Sequence, residues 1–258
     1  MSKRNKEHKV FSKDQTAASI KTISGVIKDF DTFDGEKGSR NTIKKIIIEN
    51  FSFNVKSFKV PHLINRIAYS FFRKSKANRS FEYAEILINN GINTPKPIAY
   101  FEFFNFNFLN KSFYISNQLD YDITYRELVN NEDYPNFDTI LREFTHFTFD
   151  LHEKGINFLD HSPGNTLIKR NESTKKYDFY LVDLNRMKFH QMSFKDRMKN
   201  FSKLTPRKEM VEVMANEYAK LFGESEKKIF NQMWLFTEEF QKKYHKKIAT
   251  KKKIFFWK

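Results

Sequence analysis

In the stretch GINFLDHSPGNTLIKR, residues 155–170, Asp160 and Asn165 stand in the pattern Asp-x-x-x-x-Asn with a proline and a glycine between them. A carboxylate so placed can take a proton from a hydroxyl, and an amide oxygen can turn toward a hard cation. Further on, Asp183 closes the apolar run FYLV, where a second carboxylate offers Mg²⁺ the oxygen ligand it prefers. Upstream, FNVKSFK supplies Lys56 and Lys59 as cations for phosphate. Magnesium-dependent phosphoryl transfer asks for this set: a carboxylate to orient the attacking hydroxyl, oxygen ligands for the metal and a cation on the phosphates. Alone, Asp-x-x-x-x-Asn says almost nothing, because surface loops are rich in both residues. Its weight comes from the elements that must position it.

Before the loop, NFDTILREFTHFTFDLHEKG spaces Phe137, Ile140, Leu141, Phe144, Phe147 and Leu151 at helical intervals and stops at Gly155. After it, two short strands at 166–169 and 179–182, joined by NESTKK, form a hairpin that carries Asn165 and Asp183 at neighbouring ends. From Pro206 to about 248 the pattern is mostly helical. Nearer the N-terminus, TIKKIIIE and FSFNVKSFKV read as a hairpin with Asn50 at the joint. A helical stretch follows Pro61, and Ser80 can cap a helix over FEYAEILIN that ends at Gly91. Aromatic-rich strands follow from INTPKPIAY onward. The organisation expected is a basic flexible tail over 1–14, a β-rich lobe over 15–116 and a mostly helical lobe over 117–258, joined near SNQLDYD. On a regular strand Lys56 and Lys59 face opposite sides, so one of them points to the phosphates.

The 258 residues are 40% hydrophobic and include 30 Phe, enough for a sizeable core. The absence of cysteine excludes disulfides, thiolate zinc sites and a cysteine nucleophile, and is compatible with a reducing cytosol. MSKRNKEHKV leads into no apolar segment of a secretory signal, and no run approaches the about 18 apolar residues of a membrane-spanning helix. The reading is intracellular. A net charge of +15 predicts an anionic partner, whether nucleic acid, an acidic membrane face or a phosphorylated substrate.

LHEKGINFLDHSPGNTLI, followed by FYLVDLNRMKF, resembles the protein-kinase-like fold and, more narrowly, the lipopolysaccharide-core sugar kinases, the Kdo and heptose kinase family. The resemblance spans roughly residues 35–190. It implies an α+β, bilobal fold with a β-rich N-lobe that carries a regulatory-type helix, and a mostly helical C-lobe. It also implies ATP and Mg²⁺ as cofactors. Asp160 would be the catalytic carboxylate, and Asn165 and Asp183 the metal ligands. FNVKSFK looks like the strand of the phosphate-binding lysine, with Lys56 preferred to Lys59 because it directly follows FNV. SFEYAEIL looks like the helix whose glutamate pairs with that lysine, Glu82 being favoured and Glu85 the alternative. DGEKGSRN, with Gly35 and Gly38, is a faint counterpart of a Gly-rich phosphate loop; two glycines in a polar loop are more often only a turn. Phe158 and Leu159 stand where a protein kinase has His-Arg, and DLN replaces Asp-Phe-Gly, departures that disfavour a regulated protein kinase. The acceptor implied is a hydroxyl of the lipopolysaccharide inner core, most naturally on Kdo, presented by a lipid A precursor glycolipid at the cytoplasmic face of the inner membrane.

Other residues have plainer readings. His152 and His161 are expected to pack or hydrogen-bond rather than hold a metal, since no zincin spacing is present. Arg186 suits either substrate phosphate or an ion pair with a loop carboxylate. YFEFFNFNF alternates like a core strand rather than a base-stacking surface. QKKYHKKIATKKKIFFWK, residues 241–258, has eight Lys, no acid and terminal aromatics, which suits an anionic bilayer surface. Nucleic acid is not expected as a partner. The rival readings are another small-molecule or protein kinase of this fold, or an inactive basic module that binds membrane or nucleic acid.

Overall fold

The structure, a computed structural model, describes residues 5–37, 41–48, 51–58 and 73–255. Contacts divide the chain into two units: Met1–Asp120 with Asp183–Asn185, and Tyr121–Val182 with Arg186–Lys258.

The first unit is built on an antiparallel six-stranded sheet. In chain order its elements are β1 (Asn5–Phe11), α1 (Ala17–Lys28), β2 (Glu36–Lys37), β3 (Asn41–Ile48), β4 (Phe51–Phe58), α2 (Lys76–Asn89), β5 (Pro97–Asn105) and β6 (Phe108–Asn117). The strand order is β1-β5-β6-β4-β3-β2. Strand alternation sends Phe53, Val55, Phe101, Phe113 and Ile115 to one face, where they pack with Ile23, Val26, Ile27 and Phe30. Phe58 and Tyr100 look the other way, onto Ala77 and Phe81 of α2. The expected hairpin is β3–β4, with register from Asn41↔Phe58 to Ile48↔Phe51. Gly38, Asn50, Lys59 and the stretch after Pro61 lie outside the described residues.

Three features of this unit depart from the sequence reading. Residues 5–11 are not part of a flexible tail: β1 pairs with β5 from Asn5↔Asn105 to Phe11↔Ala99. His8 Nδ1 lies 3.0 Å from Glu102 Oε2, and Phe11 meets Phe101 edge to face. A strand at a sheet edge tolerates lysines on its open side, which is why its charge imitated a tail. Helix α1 was not anticipated; Thr16 caps it by accepting from the Ser19 N–H at 3.2 Å. Helix α2 starts earlier than Ser80, with Ser75 as its cap, accepting from the Asn78 N–H at 3.0 Å. Ser80 sits inside the helix and is buried against the sheet.

The second unit contains β7 (Ile123–Thr124), α3 (Tyr125–Asn130), α4 (Phe137–Glu153), β8 (Ile156–Phe158), β9 (Thr166–Arg170), β10 (Tyr177–Leu181), β11 (Met187–Phe189), α5 (Phe194–Asn200), α6 (Lys208–Phe222) and α7 (Glu226–Phe255). The predicted helix before the loop is α4, and the predicted hairpin after it is β9–β10, with β7 added at the β9 edge. The apolar stripe of α4 meets Tyr125, Phe179, Met214 and Tyr218 in one core. Tyr125 and Phe144 stack there with centroids 4.1 Å apart. Helix α7 continues through the lysine-rich segment. Ile229 and Met233 are in the core, whereas Lys242, Lys243, Lys246 and Lys247 are exposed. Among the described residues no helix is long and apolar enough to cross a membrane.

Candidate active site

A small ladder and a polar hub set the Asp160 loop. Strands β8 and β11 pair from Phe189↔Ile156 to Met187↔Phe158, and Leu159 N–H continues the ladder by donating to the Arg186 carbonyl at 3.1 Å. The chain then turns tightly, with His161 N–H donating to the Phe158 carbonyl at 3.1 Å and Asn165 N–H to the Ser162 carbonyl at 2.9 Å. Asn165 Nδ2 donates to the Asp160 carbonyl at 2.8 Å, so its amide oxygen is the end available to a cation. Beyond the last rung of β9–β10, Val182 N–H donates to the Asn165 carbonyl at 3.0 Å. Asp160 and Asn165 are therefore locked together by the loop itself.

The hub beneath the loop is Asn200, at the end of α5. Its Nδ2 donates to the Phe158 carbonyl at 2.9 Å and to Asn157 Oδ1 at 3.2 Å. Its Oδ1 lies 2.8 Å from His161 Nδ1 and 3.2 Å from His152 Nε2. An amide oxygen only accepts, so both ring nitrogens must carry the proton; His152 Nδ1 then accepts from the Tyr218 hydroxyl at 2.9 Å. Burial holds the His152 pKa down to about 3 and the His161 pKa down to about 4, against the pull of their Asn200 hydrogen bonds. Both rings are thus neutral structural groups. Among the described residues no three His, Cys, Asp or Glu side chains cluster as a metal site.

The Asp160 carboxylate is in company. Arg186 Nη1 donates to its Oδ1 at 3.0 Å, and Lys203 Nζ lies 3.5 Å from the same oxygen while donating to the Leu159 carbonyl at 2.6 Å. At Gly164 a Cβ would lie 2.6 Å from Arg126 Nη2, so the missing side chain lets that guanidinium rest on the loop backbone. Sequence reasoning noticed Arg186. It missed Lys203, Arg126 and Asn200, which carry no local motif and reach the loop only through the packing of α3, of α5 and of the 3-10 turn Phe201–Lys203 that follows α5.

In the first unit the structure pairs Lys56 with Asp183: Nζ donates to Oδ1 at 2.7 Å, and the lysine side chain is only 12% exposed. Asn185 Nδ2 donates to the same oxygen at 2.6 Å. Asp183 itself has φ of 60°, a left-handed conformation rare outside glycine and tolerated best by Asn and Asp. The expected Lys56–Glu82 pair is not what forms, because Glu82 Oε1 and Oε2 accept from Lys74 at 2.6 and 2.8 Å. The buried stripe of α2, Ala77, Phe81, Ala84 and Leu87, fixes its rotation and leaves Glu82 on the Lys74 side. Glu85 is the carboxylate close enough to Tyr114, the cross-strand neighbour of Lys56, to help push that phenol's pKa up; burial is the larger cause. Gly35 has a packing reason. A Cβ there would collide with Lys44 Cγ, where the buried Lys44 ammonium reaches the Phe30 and Phe33 carbonyls.

No family model and no curated protein matches the sequence. Among solved structures the chain is similar to WaaP in complex with acyl carrier protein, with a TM-score of 0.61 over 93% of this chain and 98% of that one, at 13% identity. At that identity the likeness is one of fold. The chain has a mixed α/β, protein-kinase-like fold, with a β-rich N-terminal sheet and a helical C-terminal part.

Proposed function

We propose that the chain is an ATP-dependent kinase that phosphorylates a sugar hydroxyl of the lipopolysaccharide inner core, with Kdo as acceptor, at the cytoplasmic face of the inner membrane. The observation that carries this reading is the Asp160–Asn165 loop, in which one side chain presents a carboxylate and the other is turned by its own hydrogen bond to present an amide oxygen. The resemblance of the surrounding sequence to the Kdo and heptose kinases supplies the acceptor class. Asp160 orients the hydroxyl and accepts its proton as the oxygen bonds to the γ-phosphorus and the bond to the bridging oxygen of ADP breaks. Lys56, which pairs with Asp183 rather than with Glu82 in the free protein, would hold the nucleotide phosphates, with Gly35 and Gly38 assigned to the phosphate loop. Asn165 and Asp183 would hold Mg²⁺; an amide oxygen and a carboxylate are the hard donors it takes alongside phosphate and water. When bound, the metal offsets charge on the phosphate oxygens. The exposed lysines of α7 hold the protein at an anionic bilayer.

The test is incubation with ATP and a Kdo-bearing lipid A precursor, with mass spectrometry to locate the added group. One phosphate on Kdo is the expected product. Phosphate on heptose would move the assignment to a heptose kinase. No transfer to any acceptor, with salt-sensitive binding to nucleic acid, would leave the inactive basic module.

A further inference from the structure

The Asp160 loop holds more positive charge than its own chemistry uses. Arg186 and Lys203 share one carboxylate oxygen, and among the described residues Asp160 is the one carboxylate with which either forms an ion pair. Arg186 is 55% exposed and spends a single Nη1 donor on Asp160, so most of its planar fork faces solvent. Lys203 is one-third exposed and anchored by the Leu159 carbonyl, which fixes its ammonium beside the reacting carboxylate. Arg126, resting on Gly164 of the same loop, has no ion-pair partner among the described residues. Two cations on one carboxylate oxygen, with a third resting on the same loop, are more positive charge than a neutral alcohol would engage.

We infer that Arg186 and Lys203 form a seat for an acidic group on the acceptor, a carboxylate or a phosphate monoester, close to the hydroxyl that is phosphorylated. This rests on the kinase reading and narrows it. In the free protein Asp160 fills the seat. An incoming anion competes for the same two cations, takes the fork of Arg186 in bidentate fashion, and releases Oδ1 to receive the hydroxyl. Recognition of the acceptor and availability of the base are then one exchange of partners. The same surplus charge opposes choline and aminoglycosides, which would bring positive charge to a site already positive.

The experiment uses the full chain and two matched pairs of soluble acceptors: Kdo methyl glycoside and its carboxyl methyl ester, and a phosphorylated heptose and the same heptose without phosphate. Each is followed by kinase kinetics and, without ATP, by titration calorimetry. The acidic member of at least one pair should be preferred by about tenfold or more in kcat/KM, the scale of a charge-assisted bidentate contact. Which pair shows it tells carboxylate from phosphate. Arg186→Gln should raise KM for the acid by about tenfold while leaving KM for ATP unchanged, and Arg186→Lys should restore part of the loss. Lys203→Met should act in the same direction, and Arg186→Gln keeps the test valid if that variant fails to fold. Equal binding and turnover of acid and neutral acceptors would overturn the seat. So would an Arg186→Gln loss of the same size on both members of each pair, which would mark a role in loop structure or on the ATP phosphates. If no acceptor is phosphorylated but the acid still binds more tightly in an Arg186-dependent way, the kinase reading falls and the seat stands.

Discussion

Replacing Asn200 should cost more than any other single polar substitution near the loop, and its hydrogen bonds say how much. Asn200→Ala strips a donor from the Phe158 carbonyl and from Asn157 Oδ1, and an acceptor from the ring N–H groups of His152 and His161. His152, His161, Phe158 and Asn157 are at most 9% exposed, so bulk water does not replace the lost partner. A buried polar group left unsatisfied costs about 1–3 kcal/mol. Four such groups exceed what is expected to be realised, because the vacated amide volume is polar and large enough for a water that can serve two or three of them. The expected loss is about 3–5 kcal/mol, a large share of the about 5–15 kcal/mol that holds a domain together. Asn200→Asp restores an acceptor for both rings but loses the donor to Phe158 and buries a charge, and should recover only part of the loss. Urea titration followed by far-ultraviolet circular dichroism reads both variants. A loss under about 1 kcal/mol for Asn200→Ala would refute the account of Asn200 as the anchor of the loop.

Asp160→Asn keeps the hydrogen-bonding shape without the base; it should retain nucleotide binding and lose about 10²–10⁴-fold in turnover, and near-normal turnover would remove Asp160 from that role. Asp183→Asn, chosen because Asn tolerates the positive φ, should raise the Mg²⁺ requirement and loosen Lys56, while Lys56→Met should raise KM for ATP; a silent Lys56→Met would return the phosphate role to Lys59. His152 and His161 refuse protons in the fold down to pH about 3 and 4, whereas the unfolded chain takes them up near 6.5. Their contribution is therefore lost as pH falls below 6.5, at up to about 1.4 kcal/mol per pH unit for each ring, before Glu217, lowered to about 2, begins to matter below 4.5. Urea midpoints that stay flat from pH 6.5 to 4.5 would contradict this sign. Deleting residues 249–258 should weaken sedimentation with anionic vesicles and slow turnover on lipid-embedded acceptor, each surface lysine being worth about 1 kcal/mol, with soluble acceptor little changed.

Much of the second unit was legible because its signals are local. The stripe from Phe137 to Leu151 can only be a helix, and the runs on either side of NESTKK can only pair with each other. The first unit was legible where strands alternate, as in β3–β4, and opaque where charge masked them. Asn5–Phe11 carries Lys6, Glu7, His8 and Lys9, and only its docking on β5 makes it a strand. The partner of Lys56 was out of reach for a different reason. Helical spacing puts both Glu82 and Glu85 near the sheet, but the choice depends on a rotation of a few tens of degrees, fixed by Phe81 and Ala84 in the core. Asn200 was invisible because nothing in MKNFSK marks an asparagine that will meet two histidines far away in sequence.

The proposed roles acquire a common logic once the ion pairs are set side by side. Asp160, the intended base, is held by Arg186 and Lys203; Asp183, the intended metal ligand, is held by Lys56. Each pair lies within a single unit, and each has at least one member whose exposure is a third or less. Leaving such a group charged and alone is costly, so in the free protein each carboxylate is neutralised by a cation that the proposed reading assigns to a substrate. Binding then proceeds by exchange. On the proposed reading, nucleotide phosphates would take Lys56 and leave the Asp183 carboxylate to a divalent cation, and an acidic group on the acceptor would take Arg186 and leave Asp160 to the hydroxyl. For Lys56, Arg186 and Asp183 the partner gained would carry the same sign as the one lost, and Asp160 would keep Lys203, 3.5 Å from its Oδ1, when it turns to the neutral hydroxyl. A neutral acceptor offers no such exchange, and Asp160 would stay engaged with Arg186 when the hydroxyl arrives.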